Sequence, residues 1–193
     1  VVTRLVTTTI RERFVNQIYE AARVAADVVV RQERTHLENL RLMAYTQGVG
    51  DSLKDKDVPR LEALLLPLAL NSGIETVSVV DLAGTELLTL GLDPASGQYL
   101  RAQGTDLSAY PLVANILQAA QDEQGDKFVG LVETNFGPGL FTSSAVLDGQ
   151  GSLAGVLLIG TRLDSLLDGI KSQALADLVV FDQSLALLAS TLP

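Results

Sequence analysis

The sequence has no cysteine and no tryptophan, and it has one histidine and one methionine among its 193 residues. Without cysteine, the chain can form neither disulfides nor thiolate metal sites, and it has no cysteine nucleophile. Hydrophobic residues make up 47% of the chain and aromatic residues only 5%, so we expect a globular core of Leu, Val, Ile and Ala. No apolar run approaches the roughly 18 to 20 residues that a membrane-spanning helix requires, and no signal peptide is predicted.

Residues that commonly serve catalysis are also scarce. His36 is the only histidine, and the polar stretch around it predicts an exposed side chain. A Ser-His-Asp triad would have to use His36, and no G-x-S-x-G turn accompanies it. The Gly-rich segments 137–139 and 149–151 lie between predicted strands, whereas phosphate sites usually lie between a strand and a helix. We therefore expect no enzyme activity, no metal site and no cofactor.

Negative charge dominates the chain after its first quarter. Residues 1–47 carry seven Arg and five acids, a balance of +2, whereas residues 48–193 carry seven cations and 18 acids, a balance of −11. Binding to a nucleic-acid backbone needs clustered Lys and Arg, and attraction to an anionic membrane surface needs them as well. We therefore expect no nucleic-acid partner and no direct binding to a membrane surface.

Residues 1–47 contain neither Gly nor Pro, and their apolar residues recur every three or four positions, which predicts a helix. The recurring residues are Ile10, Phe14, Ile18, Ala21, Ala25, Val28, Leu37, Leu40 and Ala44. About 40 helical residues extend about 60 Å, which is longer than a domain of this size is wide. We therefore expect a stalk helix that projects beyond its own core. The alternative is two helices with a break at residues 31–36, where the apolar stripe lapses.

The rest of the chain alternates between short helices and strands. Helices are predicted at about 57–70, 109–121 and 163–174, and strands at about 74–81, 86–90, 128–134, 140–147 and 153–161. Residues 91–104 are predicted to form a loop or weak edge strand, residues 122–126 an acidic linker, and residues 178–188 a last hairpin. The short connections require antiparallel neighbours, so we expect an α+β fold.

An Asp directly follows an apolar strand at Asp81, Asp148 and Asp182. At a turn, an Asp side chain can accept hydrogen bonds from backbone N–H groups two residues further on. The three sites lie on separate turns, and none has the alternating acids of a calcium-binding loop. The pattern therefore predicts hairpin turns rather than a metal cluster.

Together, three segments resemble the Cache family, the extracytoplasmic PAS-like sensor domains of bacterial chemoreceptors, sensor kinases and cyclases. They are the strand and turn Val77–Gly84, the pair Phe141–Asp148 and Gly151–Gly160, and the long leading helix. The resemblance covers about residues 4–170 and implies a PAS-like antiparallel sheet with flanking helices. It divides the chain into a stalk helix (1–47), a Cache-like sensor domain (48–176) and residues 177–193. Residues 178–191 resemble the sheet-opening hairpin a second time, so 177–193 would be extra strands of this sheet or the start of a second module.

The resemblance implies a ligand-sensing domain outside the cytoplasmic membrane, held between membrane spans that lie beyond Val1 and Pro193, which look like cut points. A small molecule would bind between the sheet and its cover of loop and helix, and its occupancy would bias the stalk helices of a homodimer. The family's amino-acid-binding members carry an Arg-Trp-Tyr constellation in the covering helix. The corresponding segment here, Tyr110–Asn115, lacks the Arg and the Trp, so we do not expect amino acids to be recognised in that way.

Candidate ligand-binding residues follow from their positions in this pattern: Tyr99, Arg101 and Tyr110 in the cover, and Glu133, Thr134, Phe141 and Ser143 on the facing strands. Arg101 has apolar and small polar neighbours, and a carboxylate ligand would need such a cation. The alternative is that Arg101 balances a nearby acid on the surface and that the two tyrosines lie at the edge of the core. Two other functions stay open: a dimerisation or protein-interaction module without a ligand, and a cytoplasmic GAF or PAS domain.

Overall fold

The computed structural model describes residues 2–118, 127–182 and 184–192, with side chains described from residue 15 onward. The elements in chain order are α1 (Val2–Ala44), α2 (Val49–Lys54), α3 (Val58–Ser72), β1 (Thr76–Asp81), β2 (Glu86–Leu92), β3 (Tyr99–Ala102), α4 (Pro111–Leu117), β4 (Lys127–Thr134), β5 (Gly137–Leu147), β6 (Leu153–Arg162), α5 (Leu163–Ala174), β7 (Val179–Phe181) and β8 (Leu187–Ser190). In this part of the chain, no helix combines the length and apolarity that a membrane span requires. The predicted C-terminal end of the helix at 109–121 and the linker at 122–126 fall outside the described residues.

The chain divides into two compact units, one formed by residues 1–32 and 164–193 and the other by residues 33–163. The first unit contains the N-terminal part of α1, α5 and the strands β7 and β8, which pair with each other in a two-stranded sheet. Its hairpin leaves large apolar side chains in solvent, with Phe181 53% and Leu187 60% exposed. The second unit contains the main sheet and its hydrophobic cores.

Helix α1 is continuous from Val2 to Ala44, so there is no break at residues 31–36. The apolar stripe lapses there because polar side chains of this stretch have polar partners: Arg31 Nη2 donates to Gln173 Oε1 at 2.7 Å. Further along, Leu40 and Ala44 are buried as the stripe predicts, whereas Ile18 is 53% exposed. The next helix begins after Gly48, whose φ of 90° lies in the left-handed region that glycine adopts without strain.

The second unit is built on a six-stranded sheet in the order β3-β2-β1-β6-β5-β4. All its neighbours are antiparallel, and for β1–β2, β4–β5 and β5–β6 the short connections predicted this. The first and last strands of the unit, β1 and β6, pair at its centre from Thr76↔Gly160 to Asp81↔Gly155. The α+β fold with a long leading helix and an antiparallel sheet is therefore confirmed.

Successive side chains of the central strands point to opposite faces. One face packs against the end of α1, α2 and α3, with Val79, Leu157 and Ile159 in its core. The other packs against α4, with Val80 and Leu158 in its core. We call them the α3 face and the α4 face.

The predicted aspartate turns form, and two of them contact lysines at the end of α2 and just after it. Asp81 Oδ1 accepts from the backbone N–H groups of Ala83 and Thr85 at 2.9 and 3.0 Å, and Lys56 Nζ donates to Asp81 Oδ2 at 2.6 Å. Lys54 Nζ donates to Asp148 Oδ2 at the same distance. Burial raises the pKa of Asp81, but these donors outweigh it and hold the pKa below its ordinary value.

The two roles of Asp81 can be separated by substitution. We expect Asp81→Asn to retain most of the stability, because an amide oxygen still accepts the two turn N–H groups and the Lys56 ammonium is exposed. Asp81→Ala leaves those N–H groups without their acceptor and should lower the free energy of unfolding by about 1–3 kcal/mol. Urea unfolding of both variants at pH 7 measures the difference, and equal losses would contradict this account of the turn.

Candidate ligand-binding site

Helix α4 covers one half of its face of the sheet. Its Leu112, Val113 and Ile116 are buried in one cluster with Val132 and Phe141 of the strands beneath. Pro111 is in the first turn, where its missing N–H costs nothing, and its fixed φ suits a helix start. The helix lies on β4, β5 and β6. The segment from Thr105 to Tyr110 lies beside it, on the side of β1 and β2, and Leu107 of this segment is buried.

Two of the predicted residues lie beneath this cover. Ser143 is fully buried, and its hydroxyl donates to Leu112 O at 2.7 Å and lies 3.2 Å from Phe128 O, so it joins β5 to α4. The ring of Phe141 lies against Gly160, where an added Cβ would come within 2.5 Å of its Cζ atom. Phe136 lies in the same way over Gly91, where an added Cβ would come within 2.7 Å of its Cδ1 atom. Aromatic rings therefore occupy part of the α4 face.

Two further predicted residues, Tyr110 and Thr134, lie at the rim of the α4 face, whereas the Glu133 side chain points to the other side of the sheet because it alternates with Val132. The hydroxyl of Tyr110, the residue before α4, accepts from the backbone N–H of Glu133 at 3.3 Å, and the Glu133 side chain is exposed. The Thr134 hydroxyl donates to Gly137 O at 3.0 Å and accepts from the Phe136 N–H at 3.1 Å. Tyr110 thus ties the cover to β4, and Thr134 stabilises the β4–β5 turn.

Tyr99 and Arg101 do not lie in the cover with Tyr110, and this part of the prediction is corrected. Residues 99–102 form the edge strand β3, so positions 99 and 101 point to the same face. That is the α3 face: Tyr99 packs against its core and donates to Ile74 O, and Arg101 Nη2 lies 2.5 Å from Glu62 Oε1 of α3. Burial raises the pKa of Tyr99.

A buried polar cluster on the α4 face was not predicted. The Thr89 hydroxyl lies 2.6 Å from the Ser78 hydroxyl oxygen and hydrogen-bonds to Glu86 Oε1. These three residues are 0%, 1% and 3% exposed, respectively. The alternation of Ser78 with valines gave a weak signal of a polar position on a buried strand, but nothing in the sequence indicated where Glu86 would point.

The predicted exposure of His36 is wrong. Its side chain is 2% exposed, with Nδ1 3.2 Å from the Thr142 hydroxyl and Nε2 3.0 Å from the Thr161 hydroxyl. Burial lowers the pKa of His36 from 6.5 to about 4. Both threonines belong to the main sheet, so this side chain joins α1 to β5 and β6.

In the described residues, no three His, Cys, Asp or Glu side chains converge as metal ligands.

Solved structures with this fold are sensor domains at low sequence identity. The sensor domain of the V. cholerae histidine kinase DctB superimposes with a TM-score of 0.69 at 12% identity, covering 94% of this chain and 68% of that one. The ligand-binding domain of the Campylobacter jejuni chemoreceptor Tlp3 in complex with L-valine gives 0.63 at 14% identity, covering 98% and 73%. A domain of a sensory box/GGDEF family protein from Vibrio parahaemolyticus gives 0.57 at 16% identity, covering 83% and 63%.

The chain therefore spans less than two thirds of the GGDEF-family domain that it matches, and no curated protein matches it. A family model assigns it directly: dCache_3, the double sensory domain of two-component sensor kinases, matches residues 11–191. That match covers nearly the whole chain and agrees with the fold of the solved structures. The chain belongs to the dCache_3 family of Cache sensor domains.

Proposed function

We propose that this chain is the extracytoplasmic ligand-sensing part of a membrane-bound bacterial signalling receptor, namely a sensor kinase, a cyclase or a chemoreceptor. A small molecule binds on the α4 face, between the sheet and its cover, and α1 passes the signal on. One observation carries the proposal: Ser78, Glu86 and Thr89 form a cluster of buried polar side chains at the α4 face of β1 and β2. Membership of a sensory family supports it, and an extracytoplasmic location is typical of that family.

The proposed contacts are the four predicted residues of the α4 face, Tyr110, Thr134, Phe141 and Ser143. A ligand that enters must displace or extend the hydrogen bond between the Ser143 hydroxyl and Leu112 O of α4. Binding would therefore affect the position of α4 through this contact. L-Valine is bound by the Tlp3 domain. The absence of Arg and Trp from Tyr110–Asn115 argues against the same mode of amino-acid recognition here.

The test is the melting temperature of the chain across a panel of organic acids, amino acids, amines, nucleobases and sugars. A ligand present at one hundred times its dissociation constant adds about 2.7 kcal/mol, a shift of several degrees. The matched variants are Ser143→Ala on the α4 face and its neighbour Ser144→Ala, whose side chain lies on the opposite face. The proposal requires Ser143→Ala to weaken binding of the hit and Ser144→Ala to leave it unchanged.

Arg101 lies across the sheet from this site, so its removal should not affect binding. We expect Arg101→Ala to lower the free energy of unfolding by no more than about 1 kcal/mol, because the Arg101 side of its ion pair with Glu62 is 65% exposed. The dissociation constant of any hit, measured by isothermal titration calorimetry, should stay within error of the parent value. A hit that is lost in Arg101→Ala would place the ligand on the α3 face instead.

Within this proposal, residues 1–47 form the stalk helix, residues 48–176 the first sensor module and residues 177–193 the start of a second module. The separate β7–β8 sheet supports the last assignment, because an isolated two-stranded sheet is marginally stable on its own. In the same unit, residues 16–25 of α1 and Ala174–Leu178 line an apolar groove of about 760 Å³. Further residues of the second module would cover this groove and the exposed apolar side chains of the hairpin.

The proposal includes a homodimer through α1. Exposed apolar side chains recur on this helix at steps of three and four: Val15, Tyr19, Ala22, Ala26 and Val30. Such spacing forms the seam of a two-stranded coiled coil. We expect sedimentation equilibrium to show a concentration-dependent dimer that Ala26→Arg weakens at least tenfold, while Asp27→Ala at the adjacent exposed position does not. A monomer at all concentrations would count against dimerisation by this segment.

The second candidate function is an interaction module of the same fold that binds no small molecule. The packing of Phe136 on Gly91 and of Phe141 on Gly160 favours it, because these rings fill space that a ligand would need. Under this alternative, the ligand panel gives no shift in melting temperature while the dimer of α1 persists.

A further inference from the structure

A β-bulge determines where Glu86 points. Along β1 and β2 the pairing runs Val79↔Leu88 and then Val80↔Glu86, so Leu87 is the extra residue. Leu87 and Leu88 both pack on the α3 face, and Glu86 consequently shares the α4 face with its partner Val80. Bulges re-aim side chains in this way and are common beside functional sites. Without the bulge, strict alternation would turn Glu86 towards the α3 face.

Glu86 differs from the other buried carboxylates. In the described residues, three carboxylate side chains are buried: Asp81, Glu86 and Asp148. Asp81 pairs with Lys56 and Asp148 with Lys54. Glu86 forms no ion pair with a described Lys or Arg; its carboxylate contacts the Thr89 hydroxyl and the Thr105 N–H, the latter at 3.3 Å. A buried carboxylate without a countercharge is costly, because burial removes the water that stabilises its charge.

The Glu86 side chain is not needed to hold the neighbouring segment in place. Backbone hydrogen bonds already fix it: Glu86 N–H donates to Thr105 O at 2.9 Å, Gly104 N–H to Glu86 O at 2.8 Å and Leu107 N–H to Gly84 O at 2.9 Å. A carboxylate has about four acceptor positions, and the described contacts of Glu86 use two. The remaining acceptors, with the hydroxyl oxygens of Ser78 and Thr89 beside them, form a group suited to a nitrogen that donates several hydrogen bonds.

We propose that Glu86 is the anchor for a cationic nitrogen of the ligand, so that the sensed molecule is an organic amine or guanidine. This inference rests on the proposed function and specifies the ligand class of the same site. A protonated amine supplies the countercharge that Glu86 lacks and forms charge-assisted hydrogen bonds with the carboxylate and the Ser78–Thr89 hydroxyls. The same feature disfavours ligands whose only charge is a carboxylate, since like charges would meet in a buried site.

The test uses matched compounds on the chain as it stands. Putrescine, isobutylamine, agmatine and L-valine carry a cationic nitrogen; 1,4-butanediol, isobutanol and isovalerate have related skeletons without one. We expect at least one cationic compound to raise the melting temperature while its uncharged or anionic counterpart does not. Calorimetry should then show that Glu86→Gln weakens this compound at least tenfold, since hydrogen bonds to charged groups contribute about 1.5–3 kcal/mol. Glu62→Gln, on the α3 face, should leave the affinity unchanged.

Each outcome decides a different point. Binding by an uncharged compound or by isovalerate, or amine binding that survives in a folded Glu86→Gln variant, overturns the assignment of Glu86 and leaves the sensor function intact. A panel in which nothing binds, including the organic acids, nucleobases and sugars above, overturns both proposals. If Glu86→Gln does not fold, the comparison of matched compounds on the unsubstituted chain still decides the ligand class. Thr89→Val, which removes a hydroxyl bound to the carboxylate, then replaces Glu86→Gln as the test of the anchor.

Discussion

Lowering the pH from 7 to 4 is expected to remove about 3 kcal/mol of stability through His36 alone. The imidazole is buried between α1 and the sheet and has a pKa of about 4 in the folded chain, against 6.5 when solvated. One pKa unit corresponds to about 1.4 kcal/mol. At pH 4 the His36 imidazole is protonated more fully in the unfolded chain than in the folded chain, and this difference stabilises the unfolded state by the stated amount. This is a large part of the 5–15 kcal/mol that ordinary domains possess.

The direction of the His36 pKa shift determines whether stability rises or falls with pH and over which pH range it changes. Above about pH 7.5 neither state binds the proton appreciably, so His36 makes stability independent of pH there. Between pH 6.5 and about 4 the unfolded state binds more protons, and stability falls as pH falls. The pKa values of Asp81 and Asp148 lie below their ordinary 3.8, so their contributions are lost only at lower pH.

Urea unfolding at half-unit steps from pH 7.5 to 4.5 measures the effect, with His36→Gln as the matched variant. Gln can still donate to one threonine hydroxyl and accept from the other, but it does not titrate in this range. We expect the parent to lose stability across the window while His36→Gln shows a much flatter profile. Parallel profiles would mean that the His36 imidazole is solvated in the folded state.

Replacing Gly50 with Ala is expected to destabilise the second unit by about 3 kcal/mol. Gly50 lies in α2 against the end of β5, where an added Cβ would overlap the carbonyl oxygen of Leu147 and lie 2.7 Å from its carbonyl carbon. Backbone atoms cannot rotate away as a side chain can, so α2 must shift from the sheet. That shift would disturb Leu53, which is buried in the core of the α3 face.

Gly169→Ala is the matched control. Gly169 also lies in a helix, α5, but an added Cβ there meets nothing within 4 Å. Since Ala is the better helix former, this substitution should stabilise the chain by about 0.5–1 kcal/mol. Melting curves of the two variants should therefore shift in opposite directions. A Gly50→Ala variant as stable as the parent would show that α2 does not pack closely on the β5–β6 turn.

The sequence predicted the elements well where a periodic signal was long or a turn residue was decisive. Helix α1 follows from a stretch without Gly or Pro and from its repeating apolar positions, and the turns at Asp81 and Asp148 follow from local side-chain chemistry. The antiparallel order of β4, β5 and β6 follows from connections too short for a crossover. These features depend on neighbours in sequence, which is why they could be predicted.

The candidate site was harder to predict because side-chain direction depends on partners far along the chain. Tyr99 and Arg101 were expected in the cover, but their direction is fixed by pairing with β2 at the sheet edge. Glu86 points to the α4 face only because of a bulge opposite Val80. His36 is buried because its partners are Thr142 and Thr161. No local pattern encodes any of these three outcomes.

The most direct test of the central claim, that a small molecule binds on the α4 face, is a methyl NMR titration with the panel compound that most raises the melting temperature. Adjacent residues on the central strands report on opposite faces: Val80 and Leu158 on the α4 face, and Val79 and Leu157 on the α3 face. We predict saturable shifts that are largest at Val80 and Leu158. Shifts that are largest at Val79 and Leu157, or none with any compound of the panel, would contradict the account.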